Sequence, residues 1–132
     1  MNNQALIIED DVDLAIIFAE AIKAAGFETQ IIRDGKIALT QLVTSAPGIV
    51  VLDLHLPNVS GATILDRIRA DTRLAQTLVI VTTADARLAD MLQTKADLVL
   101  VKPISFGQLR DLARRLKSSI APSQQSNEGN QH

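Results

Sequence analysis

Five short apolar runs, separated by stretches of helical periodicity, constrain the fold of this chain more than any other feature. The runs occupy residues 5–8, 29–32, 49–52, 78–81 and 98–101, and each is bounded by polar or turn-forming residues. Runs of this length are typical of strands buried on both faces of a parallel sheet. Because the chain has only three aromatic residues, its core has to be built from Ile, Val, Leu and Ala, which suits such a sheet.

The stretches between and after these runs predict five helices. The first apolar stripe consists of Leu14, Ile17, Phe18 and Ala21. Gly26, just past this stripe, is typical of a helix C-terminus. The other stripes consist of Ala38, Leu39, Leu42 and Val43; Ile64, Leu65 and Ile68; Leu88, Met91 and Leu92; and Leu109, Leu112, Ala113 and Leu116. Strand–helix alternation repeated five times predicts an α/β fold, a doubly wound parallel sheet with helices on both faces.

The length of 132 residues predicts one domain, over residues 1–119. The Ser-, Gln- and Asn-rich residues 120–132 are expected to form a flexible tail or the start of a linker. A net charge of −2 predicts no direct binding to nucleic acid or to an anionic membrane. The absence of Cys excludes disulfides and thiolate metal sites, and no apolar stretch reaches membrane-spanning length. We therefore expect a cytoplasmic protein.

Polar residues that suit phosphoryl chemistry follow four of the five runs. They are Glu9, Asp10 and Asp11; Asp53; Thr82 and Thr83; and Lys102, which precedes Pro103. Ligand sites of such sheets lie beyond the carboxyl ends of the strands, so these groups are expected to share one edge. Clustered carboxylates repel one another unless a cation offsets their charge, and oxygen ligands without His or Cys favour Mg²⁺. A carboxylate can also attack phosphorus and hold the group as an acyl phosphate.

Four motifs resemble the receiver domain of two-component response regulators, the fold of the single-domain chemotaxis regulator. They are the acidic motif IIEDD, the phosphoacceptor motif VVLDLHLPNVSG, the hydroxyl motif VTTA and the Lys-Pro motif VLVKPIS. The resemblance runs from about residue 5 to residue 117. It implies a flavodoxin-like sheet with strand order 2-1-3-4-5. It also implies a Mg²⁺-dependent phosphoacceptor whose phosphodonor is a histidine kinase or histidine phosphotransfer protein, whose effector is unidentified, and which is not a turnover enzyme.

The resemblance also implies a role for each matching residue. By this resemblance Asp53 would be the phosphoacceptor and one of the metal ligands, and Asp10 would be a direct metal ligand with Glu9 acting through water. The backbone carbonyl of His55 completes the metal shell. The resemblance further implies that the Thr83 hydroxyl moves to the phosphoryl group and that the Lys102 ammonium pairs with that group. The Lys-Pro bond before Pro103 is expected to be cis.

Several residues carry further expectations or alternatives. Asp11 is expected to cap the first helix rather than to bind metal. His55 and Asp85 are expected to flank the phosphoryl site, where a contact between them would shield the aspartyl phosphate from water. Val99 stands where the family commonly has Tyr or Phe, and Leu98 stands where many DNA-binding relatives have an acidic residue. Neither change touches the phosphorylation chemistry. Both concern the output step, because Val99 offers no aromatic ring to couple to Thr83 and Leu98 offers no acidic group for the dimer that many DNA-binding relatives form.

Two rival functions remain open. The first is a receiver-like interaction domain that is not phosphorylated, and phosphodonor labelling distinguishes it. The second is a small phosphohydrolase with an aspartyl nucleophile. Such enzymes want a second acid two residues after the nucleophile, where this chain has His55.

Overall fold

The computed structural model describes the backbone of residues 2–129 and the side chains of residues 2–119. Its five strands are β1 (Gln4–Ile8), β2 (Glu28–Ile32), β3 (Ile49–Asp53), β4 (Leu78–Thr83) and β5 (Leu98–Val101). All neighbouring strands pair in parallel, in the order β2-β1-β3-β4-β5. The predicted doubly wound sheet and its strand order are confirmed.

The helices that connect and follow the strands are α1 (Val12–Ala24), α2 (Gly35–Thr44), α3 (Gly61–Ala70), α4 (Ala86–Leu92) and α5 (Phe106–Gly129). A short 3₁₀ turn, Thr72–Leu74, precedes β4 and was not predicted. Gly26 has a φ of 103° just after α1, which fits its predicted place at the end of that helix. No helix in the described part of the chain is long and apolar enough to cross a membrane.

The last helix runs into the segment for which a tail or linker was expected. Its backbone is helical as far as Gly129, although that segment carries few residues that could enter a core. Residues 130–132 lie outside the described part of the chain. The domain boundary after residue 119 stays a prediction.

Two hydrophobic layers cover the two faces of the sheet. The layer on the α1 and α5 side includes Ile7, Phe18, Ile22, Ile80 and Leu109. The layer on the α2, α3 and α4 side includes Ile8, Leu42, Leu52, Ile64 and Val81. Successive strand residues enter opposite layers, because side chains alternate across a strand. The sheet is therefore buried on both faces along its centre.

The expectation that every strand is buried on both faces is wrong for the two edge strands. Only Ile32 of β2 is fully buried, and every residue of β5 keeps some exposure. Each of these strands has a neighbour on one side only, so the helices cover it less completely. Three members of the predicted helical stripes, Ile17, Val43 and Met91, are likewise exposed, because the neighbouring Ala19, Leu42 and Ala89 face the core instead.

Candidate functional site

Three carboxylates meet at the carboxyl edge of the sheet. One carboxylate oxygen from each of Glu9, Asp10 and Asp53 lies within 4.8 Å of the other two. Glu9 follows β1 directly and Asp53 ends β3, and the register that pairs Ile8 with Leu52 brings the two residues side by side. Glu9 and Asp53 are buried, whereas Asp10 lies at the rim with access to solvent. The predicted acidic cluster is therefore formed, and we call it the acidic pocket.

Lys102, which follows the edge strand β5, lies against the acidic pocket at the same carboxyl edge of the sheet. Its Nζ lies 3.0 Å from Oε1 of Glu9 and 3.5 Å from Oδ1 of Asp53. It follows β5 directly, and its backbone N–H donates to the Thr83 carbonyl oxygen at 2.7 Å, which continues the pairing of β5 with β4. The peptide bond between Lys102 and Pro103 is cis.

The electrostatics of the pocket are those of buried charges that lack full compensation. Burial is the largest influence on Glu9 and, with the neighbouring Asp53, raises its pKa to about 7, although the hydrogen bond from Lys102 acts in the opposite direction. For Lys102 burial works against the charged form, but the hydrogen bond to Glu9 and the charges of Asp53 and Glu9 outweigh it and raise the Lys102 pKa. One ammonium thus does not offset all the negative charge gathered here.

Thr83 is buried at the end of β4, and its hydroxyl is already engaged. Oγ1 accepts a hydrogen bond from the backbone N–H of Asp85 at 3.0 Å. Thr82, one residue earlier, faces the opposite layer, and its hydroxyl is buried without a hydrogen-bond partner in the described part of the chain. Of these two adjacent buried hydroxyls, that of Thr83 makes a hydrogen bond and that of Thr82 makes none within the described residues.

Replacing each threonine with valine should change stability in opposite directions. Thr82→Val removes a buried polar atom that makes no hydrogen bond, so we expect about 1 kcal/mol of added stability. Thr83→Val leaves the Asp85 N–H without its acceptor, so we expect a loss of about 1 kcal/mol. Urea unfolding of both variants followed by circular dichroism measures the two values. Loss of stability in Thr82→Val would show that its hydroxyl has a partner in solution.

His55 and Asp85 lie on the loops that border the pocket but do not contact each other. The backbone N–H of His55 donates to Oδ1 of Asp53 at 3.2 Å, while its side chain is exposed. The Asp85 carboxylate caps α4 by accepting from the Arg87 N–H and pairs with the Arg87 guanidinium at 3.3 Å. Within the described residues no hydrogen bond or ion pair joins the two side chains. The expected shielding contact is therefore absent from this structure.

Asp11 caps α1, as predicted. Its carboxylate accepts a hydrogen bond from the Leu14 N–H at 2.9 Å. Its own N–H donates to Oε2 of Glu9 at 3.2 Å. Asp11 thus contributes its backbone to the pocket and its side chain to the helix.

The acidic pocket suits a hard divalent cation. All three groups offer carboxylate oxygen, no sulfur or imidazole ligand is among them, and Asp10 leaves the pocket open to solvent. The raised pKa of Glu9 indicates charge repulsion and burial that a cation would relieve. Mg²⁺ fits these residues better than Zn²⁺ does, because Zn²⁺ prefers nitrogen and sulfur ligands.

Sequence analysis missed a second set of residues around the pocket, on the loop after β2. Both Nε and Nη2 of Arg33 donate to the backbone carbonyl oxygen of Asp10, at 3.2 and 3.1 Å. The next residue, Asp34, accepts from the Asn58 side chain at 2.6 Å, which ties this loop to the one after β3. The rule that parallel strands end at one edge would have placed Arg33 here, had it been applied to β2 as well as to the other strands.

Comparison with known proteins gives a consistent family. The model of the response regulator receiver domain matches residues 5–114. The sensory transduction protein RegX3 of Mycolicibacterium smegmatis is 34% identical over 117 residues, which are 87% of this chain and 49% of that protein. The DNA-binding response regulator MtrA of Mycolicibacterium paratuberculosis is 28% identical over 120 residues, 91% of this chain and 52% of that protein. This chain spans about half the length of these curated relatives.

Among solved structures, the signal receiver domain of a putative Luxo repressor protein from Vibrio parahaemolyticus is similar over almost the whole chain. The TM-score is 0.71 at 30% sequence identity, and the match covers 99% of this chain and 96% of that one.

Proposed function

Since the chain belongs to the response regulator receiver domain family, we propose that it takes a phosphoryl group onto Asp53. Response regulators partner with histidine kinases, and the donor proposed here is a histidine kinase or a histidine phosphotransfer protein. The observation that carries the proposal is the meeting of Glu9, Asp10 and Asp53 with Lys102 at one sheet edge. These residues come from three different strand ends, which a purely structural role would not require.

In the proposed reaction, a carboxylate oxygen of Asp53 attacks phosphorus. The new O–P bond forms as the bond from phosphorus to the donor breaks, and the donor's leaving group departs with that electron pair. The His55 N–H and Lys102 hold the Asp53 carboxylate in place before the attack. Positioned charges and donors provide most of the catalysis in phosphoryl transfer.

The proposed metal ligands are Asp10 and Asp53 directly, Glu9 through water, and the backbone carbonyl of His55. Mg²⁺ held there would neutralise negative charge on the phosphoryl oxygens. The backbone of His55 already lies at the pocket, because its N–H donates to Asp53.

After transfer, Thr83 and Lys102 are proposed to hold the phosphoryl group. Formation of the acyl phosphate removes the carboxylate charge of Asp53, so Lys102 pairs with a phosphoryl oxygen instead. The Thr83 hydroxyl leaves the Asp85 N–H and donates to another phosphoryl oxygen. This exchange of partners releases the start of α4 and is the proposed link to a changed binding surface for an effector.

We also propose that the chain promotes its own Mg²⁺-dependent phosphorylation and dephosphorylation without turning over a separate substrate. His55 and Asp85 are proposed to modulate the lifetime of the aspartyl phosphate, which requires Asp85 to leave Arg87. Val99 packs against the α2, α3 and α4 layer, so a switching aromatic ring has no counterpart at that position. Residues 1–119 are the proposed receiver, and residues 120–132 its tail or linker.

Incubation with acetyl phosphate tests the function. With Mg²⁺ we expect intact-mass spectrometry to show one added phosphoryl group, and with a chelator in place of Mg²⁺ we expect none. Failure to add the group under any Mg²⁺ concentration would favour the unphosphorylated interaction domain. Steady turnover of a chromogenic phosphate ester would favour the phosphohydrolase.

A further inference from the structure

Arg33 makes hydrogen bonds to the backbone of the acidic pocket, although Arg33 belongs to none of the sequence motifs that supply the pocket's residues. It follows β2 directly, and its guanidinium donates two hydrogen bonds to the carbonyl oxygen of Asp10. Asp10 itself lies between β1 and α1, outside any regular element. Within the described residues, the Asp10 carbonyl oxygen accepts hydrogen bonds from no group other than Arg33.

The same peptide unit is held at its other end by the pocket. The carbonyl of Asp10 and the N–H of Asp11 belong to one planar peptide group. That N–H donates to Oε2 of Glu9 at 3.2 Å. Arg33 on one side and Glu9 on the other therefore fix the orientation of this plane, from which the Asp10 side chain projects into the pocket.

Hydrogen bonding from a cation to a carbonyl also strengthens the donor at the other end of the peptide. The guanidinium polarises the Asp10 carbonyl, and the Asp11 N–H becomes a better partner for the Glu9 carboxylate. The effect of Arg33 thus reaches two of the three acidic residues without contact with either carboxylate.

From this geometry we propose that Arg33 is a positioning residue for the divalent cation site. It acts through the Asp10–Asp11 peptide and strengthens Mg²⁺ binding. This inference rests on the proposed function, since it requires the acidic pocket to bind the metal. Residues that orient metal ligands without touching the metal typically change affinity by 10–100-fold.

The positive charge of Arg33 acts in the opposite direction, and this makes the inference testable. A guanidinium near the pocket repels a cation, so removing the charge alone would tighten Mg²⁺ binding. The exposed side chain of Arg33 is well screened by solvent, which weakens that repulsion. Positioning and charge therefore predict changes of opposite sign in the dissociation constant.

Arg33→Met separates these effects, because it keeps an apolar stem and removes both the donors and the charge. Mg²⁺ is titrated into each metal-free protein, and the ¹H–¹⁵N shift of the Asp11 amide is followed by NMR. We expect Arg33→Met to bind Mg²⁺ about tenfold more weakly than the wild type. Arg33→Lys, which keeps one donor group and the charge, should recover part of that loss. Its Asp11 amide shift before metal addition should lie between those of the other two proteins.

Arg115→Met is the matched control, since Arg115 is an exposed arginine of α5 that forms no hydrogen bond in the described part of the chain. Its dissociation constant should equal that of the wild type. Equal or tighter binding by Arg33→Met, with the wild type binding normally, would overturn the role of Arg33 and leave the proposed function intact. A wild-type protein that binds no Mg²⁺ would overturn both.

Discussion

Gly61→Ala is expected to destabilise the protein by about 3 kcal/mol, near the upper end of the range for overpacking a core. Gly61 begins α3, and its N–H donates to the Leu54 carbonyl oxygen at 3.0 Å. A Cβ at this position would overlap the backbone carbonyl oxygen of Asp53 and lie 2.6 Å from the Leu54 Cα. Backbone atoms cannot swing aside as a side chain can, so α3 or the end of β3 would have to move.

Chemical denaturation measures this loss, and Gly107→Ala is the matched control. Gly107 lies in the first turn of α5, where a new Cβ would meet only an Arg110 side-chain atom at 3.6 Å. This variant should be unchanged or more stable by roughly 0.5 kcal/mol, because alanine restricts the unfolded chain. Equal stabilities for the two variants would contradict the close approach of α3 to β3. Because Gly61 lies against the backbone carbonyl of Asp53, the shift caused by Gly61→Ala should also displace Asp53 and slow its phosphorylation.

In the metal-free protein, Glu9 is expected to make stability fall as the pH rises. The carboxyl has a pKa near 4.5 when unfolded and about 7 when folded. Between these values the folded state holds a proton that the unfolded state has lost. The contribution is fully present below pH 4.5 and is lost as the pH rises through about 7. It amounts to on the order of 3 kcal/mol.

Glu9→Gln isolates this effect from all other titrating groups. The difference in unfolding free energy between variant and wild type should change across this pH range, with the variant gaining relative stability toward pH 8. Unfolding both proteins in the presence of a chelator at about pH 5, 6, 7 and 8 measures how this difference in unfolding free energy changes with pH. A difference that stays constant over this range would contradict the raised pKa of Glu9.

The sheet could be predicted because its signal is local. Each apolar run reports its own strand, and alternation with helical stripes restricts the connections to right-handed parallel crossovers. The degree of burial was less predictable, because it depends on position within the sheet. The run at residues 29–32 reads like the others, yet it forms an edge strand that is largely exposed.

The acidic pocket could be predicted because it follows from where strands end. Glu9, Asp53 and Lys102 each stand directly at the carboxyl end of a strand, so the parallel sheet alone brings them together. Contacts made by side chains across loops follow no such rule. The strand-end rule places Arg33 at this edge, but its hydrogen bonds to the Asp10 carbonyl, like the pairing of Asp85 with Arg87, depend on loop conformation and rotamers, which the residue pattern does not encode.

Mapping the phosphorylated residue tests the central claim most directly. After incubation with acetyl phosphate and Mg²⁺, borohydride reduces an aspartyl phosphate to homoserine and releases phosphate, which marks the site permanently. Peptide mass spectrometry should then find homoserine at position 53 and an unmodified chain in Asp53→Asn. Homoserine at Asp10, or phosphorylation that persists in Asp53→Asn, would contradict the assignment of Asp53 as the phosphoacceptor.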